Sequence, residues 1–154
     1  RPRELFVSPV GSDTAVGTSA AAPLRTLAHA RDTARSLRAG GNVVMVNLLS
    51  FKNRADGGNE GMTGVESYQL YATKMRQFVE SKGGRFIWSG RVDSMVIGES
   101  DAEFHVIAMV EYPSRQAFVE IASSAHVAEI GKDRVSGLAG QWLIATTETG
   151  LRSS

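Results

Sequence analysis

An apolar stretch in the first third of the chain, residues 42–52 (NVVMVNLLSFK), is the feature around which the other elements can be arranged. It contains a single amide, Asn47, and it ends at the cation Lys52. A strand this apolar has to be covered on both faces, which is typical of a central strand in a sheet that carries helices on one side. The pattern therefore predicts a central strand whose second face also needs a cover.

A helix is predicted to follow this strand after a polar, glycine-rich loop at residues 53–62. Thr63 stands three residues before Glu66, which is the spacing of a capping box at a helix N-terminus. The glycine pair at 83–84 fits a left-handed cap at the other end. The loop is either a mobile flap over a cavity or an ordinary surface loop. The apolar and aromatic residues of the helix recur on or beside one face: Val65, Tyr68, Tyr71, Ala72, Met75, Phe78 and Val79.

Two strands, two helical pieces and a closing strand are predicted in the second half of the chain. The turn between the two strands is expected at 98–102, with a bulge at Gly90. Ser114 is a candidate N-cap for the helix after the second of them, and this helix is expected to break at 123–124. The predicted strands are 85–97, 103–112 and 141–147, and the second helical piece is 125–135.

The order strand, helix, strand, strand, helix, strand from residue 42 onward predicts an α+β, ferredoxin-like βαββαβ domain. The first and third strands are the most apolar, so we expect them to lie side by side in the centre of the sheet. The helices cover one face of such a sheet. A second copy of the chain is the economical cover for the other face, which predicts a homodimer with a dimeric α/β-barrel architecture.

The first forty residues differ in character from the remainder. They suggest a short strand at 4–8, a loop rich in small residues and a helix at 23–38. The segment FVSPVGSDTAVGTSAAAPLRTLAHA resembles the beginning of a right-handed parallel β-helix of the secreted polysaccharide-lyase kind. No coil repeats follow, so lyase activity is not carried over. We predict an extension at 1–40 that packs on a main domain at 41–150, and a short tail at 151–154.

Composition removes several function classes. Seventeen basic and sixteen acidic residues give a formal net charge of +1, so no electrostatic case exists for nucleic acid or a membrane surface as a partner. The absence of cysteine removes thiolate catalysis and cysteine-ligated metals, and no cofactor or metal is expected. No run reaches the length of a transmembrane helix. A cytoplasmic location is expected, although the chain begins at Arg1 and a processed N-terminal segment is an alternative.

Several motifs carry a family resemblance over residues 42–147. VNLLSFK, SYQLY, GGRFIWSGRV, VEYPSRQAF and GKDR resemble, in order and spacing, an uncharacterised bacterial domain-of-unknown-function family of dimeric α/β barrels. That family is related to the antibiotic-biosynthesis monooxygenases, the stress-responsive A/B-barrel proteins and the small polyketide cyclases. The resemblance implies the fold, a dimer and a pocket between sheet and helices, but it supplies no reaction.

Polar groups inside apolar elements are the candidate ligand-binding residues. Asn47 lies in mid-strand, where an unpaired amide would cost about 1–3 kcal/mol, so its partner is either a ligand or a neighbouring element. Lys52 follows at the strand end, where it could hold an anionic group or be solvated. The remaining ligand-binding candidates are Tyr68, Trp88, Glu111 and Arg134.

Candidates for proton transfer are His126, His105 and Tyr71. His126 and Arg134 fall at i and i+8 of the second helical piece, where a base and an anion clamp could flank one ligand. The alternative for each of these candidates is that the side chain only packs in the structure and takes no part in proton transfer or ligand binding. Two functions remain: a dimeric barrel that binds a small, largely apolar molecule, or a cofactor-independent monooxygenase or cyclase/isomerase that uses His and Tyr as acid–base groups.

Overall fold

The computed structural model describes residues 4–7, as a strand only, and residues 41–148. The predicted helix at 23–38 and the tail at 151–154 lie outside the described residues. The elements are β1 (Glu4–Val7), β2 (Val43–Phe51), α1 (Gly64–Ser81), β3 (Arg85–Arg91), β4 (Val106–Tyr112), α2 (Arg115–Ala122), α3 (Ala125–Gly137) and β5 (Leu138–Thr146).

The strands form one antiparallel sheet in the order β1-β5-β2-β4-β3. β2 lies in the middle and pairs with β4 on one side and β5 on the other. The strand order β5-β2-β4-β3 is that of the ferredoxin-like arrangement, so the predicted α+β fold is confirmed. β1 pairs with β5 and extends the sheet at that edge.

Local signals placed α1 correctly. The Thr63 hydroxyl accepts a hydrogen bond from the Glu66 N–H, and the Glu66 carboxylate accepts one from the Thr63 N–H, which completes the predicted capping box. At the other end Gly83 adopts a φ of 84°, which only glycine reaches without strain. The predicted break between the two later helices is also present, because Ser124 caps α3 directly after α2 ends.

The region after α1 differs from the prediction in two ways. The bulge lies between Phe86 and Trp88, and not at Gly90. Gly90 is needed for a different reason, since a Cβ there would lie 2.4 Å from the Trp88 ring. β3 also ends at Arg91, so the predicted strand residues 92–97 belong to a long connection to β4.

The two faces of the sheet carry different side chains. On β2 the odd-numbered residues Val43, Met45 and Leu49 are buried toward the helices, because successive side chains of a strand alternate between faces. They join α1, α2 and α3 in the core. The opposite face, called here the open face, has no described element over it. It carries Val44, Val46 and Leu48 of β2, Trp88 of β3, Ile107 and Met109 of β4, and Ile144 of β5.

Two glycines let α1 and α3 approach each other closely. A Cβ at Gly64 would lie 2.1 Å from the Lys52 carbonyl oxygen and 2.6 Å from the Gly137 carbonyl oxygen. A Cβ at Gly137 would lie 2.3 Å from the Gly64 carbonyl oxygen and 2.9 Å from the Tyr68 nitrogen. Hydrogen bonds from Lys52 N–H to Gly137 and from Gly64 N–H to Lys52 join the three backbones. This crossing sets the position of the first turns of α1.

The glycine-rich loop after β2 is held by hydrogen bonds at several points. The Asn59 amide donates to the Ser67 hydroxyl at 2.9 Å and to the Asp133 carboxylate at 3.0 Å, and Ser67 is fully buried. The Asp56 N–H donates to the Ser136 carbonyl at 3.2 Å. These contacts favour the ordinary-loop interpretation over a mobile flap.

Candidate functional site

A cleft of about 550 Å³ lies between α1 and the β2–β4–β3 half of the sheet. Helical spacing on α1 and alternation on the strands direct side chains into it from both sides. Its walls are formed by Val65, Tyr68, Gln69, Ala72, Thr73 and Arg76 of α1, Leu49 and Phe51 of β2, Phe86, Ser89 and Arg91 of β3, Val106 and Ala108 of β4, and His105.

The inner wall of the cleft is apolar, and two arginines that are paired with carboxylates lie at its rim. Leu49 and Phe51 are buried, and the Phe51 ring packs on Tyr68 at 5.3 Å between centroids. At the rim Arg91 is paired with Asp93, and Arg76 is paired with Glu80 while it lies over the Phe86 ring. Because the arginine pairs are exposed, they contribute little stability and remain available to solvent or ligand.

A chain of three polar side chains crosses the helix-facing side of the sheet beside this wall. The Gln141 amide donates to the Asn47 Oδ1 at 2.8 Å, and the Arg134 guanidinium donates to the Gln141 Oε1 at 2.9 Å. Longer contacts of 3.4 Å run from the Asn47 amide to the carbonyls of Met45 and Ala108. The partner that Asn47 requires is therefore present within the protein.

Arg134 is a buried cation without a counter-charge. Its side chain is 6% exposed, and within the described residues it forms no ion pair. Its hydrogen bond to Gln141 is made by one terminal nitrogen, and its buried Nε has no hydrogen-bond partner. Asp133, the neighbouring carboxylate, instead bonds to Lys74 and Asn59.

Three tyrosines on the same side of the sheet retain their protons. Burial raises the pKa of Tyr68 well above its usual value, and the adjacent Tyr71 raises it further, while the Arg134 charge lowers it in part. Burial also raises the pKa of Tyr71 against the same opposing effect of Arg134. The pKa of Tyr112 is raised by burial and by the other two tyrosines. Because the three phenols keep their protons, they act as hydrogen-bond donors and not as bases. Within the described part of the chain, none of the three hydroxyls makes a hydrogen bond.

His105 faces the cleft with one ring nitrogen already engaged. Its Nδ1 accepts a hydrogen bond from the Phe51 N–H at 2.9 Å, and its ring stacks on Phe51 at 5.9 Å between centroids. A nitrogen that accepts from an N–H carries no proton, which assigns the proton of neutral His105 to Nε2. Nε2 lies 3.8 Å from a Glu103 carboxylate oxygen. Neither ring nitrogen of neutral His105 therefore offers a free lone pair to act as a general base, because the Nδ1 lone pair accepts a hydrogen bond and Nε2 carries the proton.

Four of the residues predicted from the sequence lie away from the cleft. His126 is exposed on α3 and packs on Phe78 at 4.7 Å, whereas Arg134 on the same helix is buried. Lys52 donates to Asp56 at 2.8 Å and to the Val135 carbonyl. Trp88 and Glu111 lie on the open face, where Trp88 is 54% exposed and Glu111 pairs with Arg85 at 3.0 Å.

The remaining five predicted residues lie at the cleft or beside it. Tyr68 and His105 line it, Tyr71 packs on Tyr68, and Asn47 and Arg134 belong to the adjoining chain of polar side chains. Gln141, which links two of them, was not predicted. Its signal is a single amide at the start of the apolar strand QWLIATT, the same signal that identified Asn47. Within the described residues no cluster of three or more His, Asp or Glu side chains is placed to hold a metal ion. None of the described helices has the length and hydropathy of a membrane span.

Comparisons with known proteins support the fold and the family. A search of curated proteins found no match. A crystal structure of RPA0582, a protein of unknown function from Rhodopseudomonas palustris, is 30% identical, with a TM-score of 0.69 over 76% of this chain and 89% of that one. A structure of methylated RPA0582 is also 30% identical, with a TM-score of 0.69 over 77% and 90%. Residues 59–147 match the family described as a domain of unknown function, DUF1330, and the chain belongs to that family.

Proposed function

We propose that this protein binds a small, largely apolar molecule in the cleft between α1 and the sheet, and that it does so as a homodimer. The observation that carries the binding proposal is the cleft itself. Its volume of about 550 Å³ is in the range of small-molecule sites, which are typically about 300–1,000 Å³. Its walls combine aromatic and aliphatic side chains with a few polar groups, which is the usual composition of such sites.

A binding role is preferred to acid–base catalysis because of the state of the groups beside the cleft. The tyrosines retain their protons, since their pKa values are raised. His105 uses Nδ1 to accept a backbone hydrogen bond. A cyclase or monooxygenase mechanism needs a group that takes a proton from the substrate, and these contacts favour hydrogen-bond donors instead.

Isothermal titration with cinnamamide, a flat neutral aromatic probe, tests the binding proposal. We expect saturable binding to the wild type and its loss in Ala72→Trp, because Ala72 lines the cleft and an indole there fills it. Ala128→Trp is the matched control, since Ala128 is exposed on α3 and does not line the cleft. Absence of binding to the wild type, or equal binding to both variants, would contradict the proposal.

The homodimer is supported by the open face of the sheet. Its seven apolar side chains, defined above, are not covered by any described element. Met95, Val96 and Ile97 in the connection after β3 add further exposed apolar surface. Apolar surface of this extent on a soluble domain indicates an interface, and a self-complementary face that pairs about a twofold axis is the commonest solution. A second copy of the chain is therefore the proposed partner.

Sedimentation equilibrium tests the dimer directly. We expect a mass of two chains, each of 16.5 kDa, at micromolar concentration. Met109→Lys places a charge on the open face and should give a folded monomer, because burying an unpaired charge opposes association. Gln77→Lys on the exposed surface of α1 is the control and should remain dimeric. A monomeric wild type would refute the proposal.

A further inference from the structure

Arg134 carries a buried charge that no side chain in the described part of the chain neutralises. A guanidinium that is 6% exposed loses most of its hydration, and such a loss is normally compensated by a carboxylate. Arg134 has instead one hydrogen bond, to the neutral Gln141, and its Nε is buried without a partner. Within the described residues no acidic side chain pairs with it. Arg134 is thus a cation for which the described part of the chain supplies no anionic partner.

The groups around Arg134 have an excess of hydrogen-bond donors. The acceptor oxygen of Gln141 is taken by Arg134, and the acceptor oxygen of Asn47 is taken by Gln141. The hydroxyls of Tyr68 and Tyr71 retain their protons and make no hydrogen bond in the described part of the chain. A hydrogen bond of 2.9 Å from the Ser67 hydroxyl to the Asp133 carbonyl joins α1 to α3 directly beside Tyr68 and Arg134. Such a set is complementary to an oxygen-rich, negatively charged group.

This donor set adjoins the cleft. Tyr68 lines the cleft with its ring and packs on Tyr71 at 5.5 Å between centroids. Leu49, another lining residue, is the cross-strand partner of Gln141. The Asn47 amide contacts the carbonyl of Ala108, which also lines the cleft. The wall formed by Tyr68 and Leu49 is therefore shared between the apolar cleft and the donor set.

We propose that the molecule bound in the cleft carries a carboxylate, and that this carboxylate accepts hydrogen bonds from the Arg134 Nε and from the Tyr68 and Tyr71 hydroxyls. The inference rests on the proposed binding function and adds the chemical class of the ligand. A carboxylate matches the buried charge of Arg134, whereas a cationic ligand would be repelled by it. The apolar part of the ligand remains against Leu49 and Phe51.

Three probes of nearly the same shape separate charge recognition from apolar binding: cinnamate, cinnamamide and cinnamylamine. We expect cinnamate to bind the wild type about 10- to 100-fold more tightly than cinnamamide, which is the size expected for hydrogen bonds to a charged group. Cinnamylamine should bind more weakly than cinnamamide. Equal affinities for cinnamate and cinnamamide would overturn this inference while leaving the binding function intact. Failure of all three probes would refute the binding function itself.

Substitution of Arg134 tests the assignment of the cation. In Arg134→Met the preference for cinnamate over cinnamamide should disappear, because the affinity for cinnamate falls to the level of that for cinnamamide. Arg115→Met is the matched control, because Arg115 also has a buried Nε without a partner among the described residues, but it lies on α2, bonds to Thr147 and is not part of the donor set. It should retain the full preference for cinnamate. Retention of the preference in Arg134→Met would overturn the assignment.

Tyr71→Phe provides a second variant if the Arg134 substitution prevents folding. It removes a hydroxyl that has no hydrogen bond within the described residues, so the fold should be unaffected. We expect the ratio of the affinity for cinnamate to the affinity for cinnamamide to fall several-fold. An unchanged ratio of the two affinities in a folded Tyr71→Phe protein would contradict a role for this hydroxyl in holding the carboxylate.

Discussion

Replacement of Gly64 with alanine tests the helix crossing that positions the cleft. The added methyl group would lie 2.1 Å from the Lys52 carbonyl oxygen and 2.6 Å from the Gly137 carbonyl oxygen. Both are backbone atoms, which cannot rotate away as the end of a flexible side chain can. Relief therefore requires α1 to move away from α3 and weakens the hydrogen bonds that join Lys52 to both glycines.

Overpacking of this kind typically costs about 1–3 kcal/mol, and the upper end is expected when backbone is the obstacle. The intrinsic preference of a helix for alanine offsets less than about 1 kcal/mol of that at a first helical position. We predict a net loss of about 2 kcal/mol in the free energy of unfolding. For a chain of this size the loss corresponds to a fall in Tm of roughly 4–8 °C.

Gly131→Ala is the matched control for thermal unfolding followed by circular dichroism. Gly131 lies within α3, and a Cβ there meets nothing within 4 Å. Alanine at that position should raise the free energy of unfolding by up to about 1 kcal/mol, because glycine is a poor helix former. If Gly64→Ala raises Tm as Gly131→Ala does, the inference that α1 and α3 lie too close for a methyl group at residue 64 is contradicted.

Two further substitutions test the supports of the site. Thr63→Ala removes the capping-box hydroxyl and should lower the free energy of unfolding, measured by urea denaturation, by about 1 kcal/mol. Thr73→Ala, at an exposed position of α1, is the control and should change the free energy of unfolding by less than about 0.5 kcal/mol. Equal effects of the two substitutions would contradict a stabilising cap at Thr63. Asn47→Leu should cost about 1–3 kcal/mol because the Gln141 amide loses its acceptor, and the double variant Asn47→Leu/Gln141→Leu should cost less than the sum of the two single changes. Strict additivity would show that the two amides do not interact.

Features set by neighbours in sequence could be predicted from the sequence. The capping box at Thr63 and the left-handed glycine at Gly83 depend on a few consecutive residues, and both are present as expected. The pairing of β2 with β4 followed from two strongly apolar runs, because the most apolar strands of a sheet lie in its centre.

Features set by distant contacts could not be predicted. The bulge was assigned to Gly90 because glycine is typical of bulges, but the missing Cβ there accommodates the Trp88 ring. On α3, His126 and Arg134 were expected to flank one ligand because of their i, i+8 spacing. Eight residues advance a helix by about 80° beyond two full turns, so one end of such a pair can be exposed and the other buried.

The candidate site was predicted only in part, because its contacts also join residues that are distant in the sequence. Asn47 was selected as a polar group in an apolar strand, and this signal correctly indicated that a partner exists. The partner is Gln141, 94 residues later, and it was identified only when β5 was placed beside β2. Lys52 was selected by its position at a strand end, where Asp56 and the Val135 carbonyl bind it instead of a ligand.

A methyl NMR titration with cinnamamide tests the central claim, that the cleft is the ligand site, most directly. Leu49, Val65 and Val106 line the cleft, whereas Val44 and Ile144 lie on the open face of the same sheet. The proposed function predicts saturable shifts of the Leu49, Val65 and Val106 methyl signals, with those of Val44 and Ile144 unchanged. Shifts confined to Val44 and Ile144, or no saturable shift of any of the five, would contradict it.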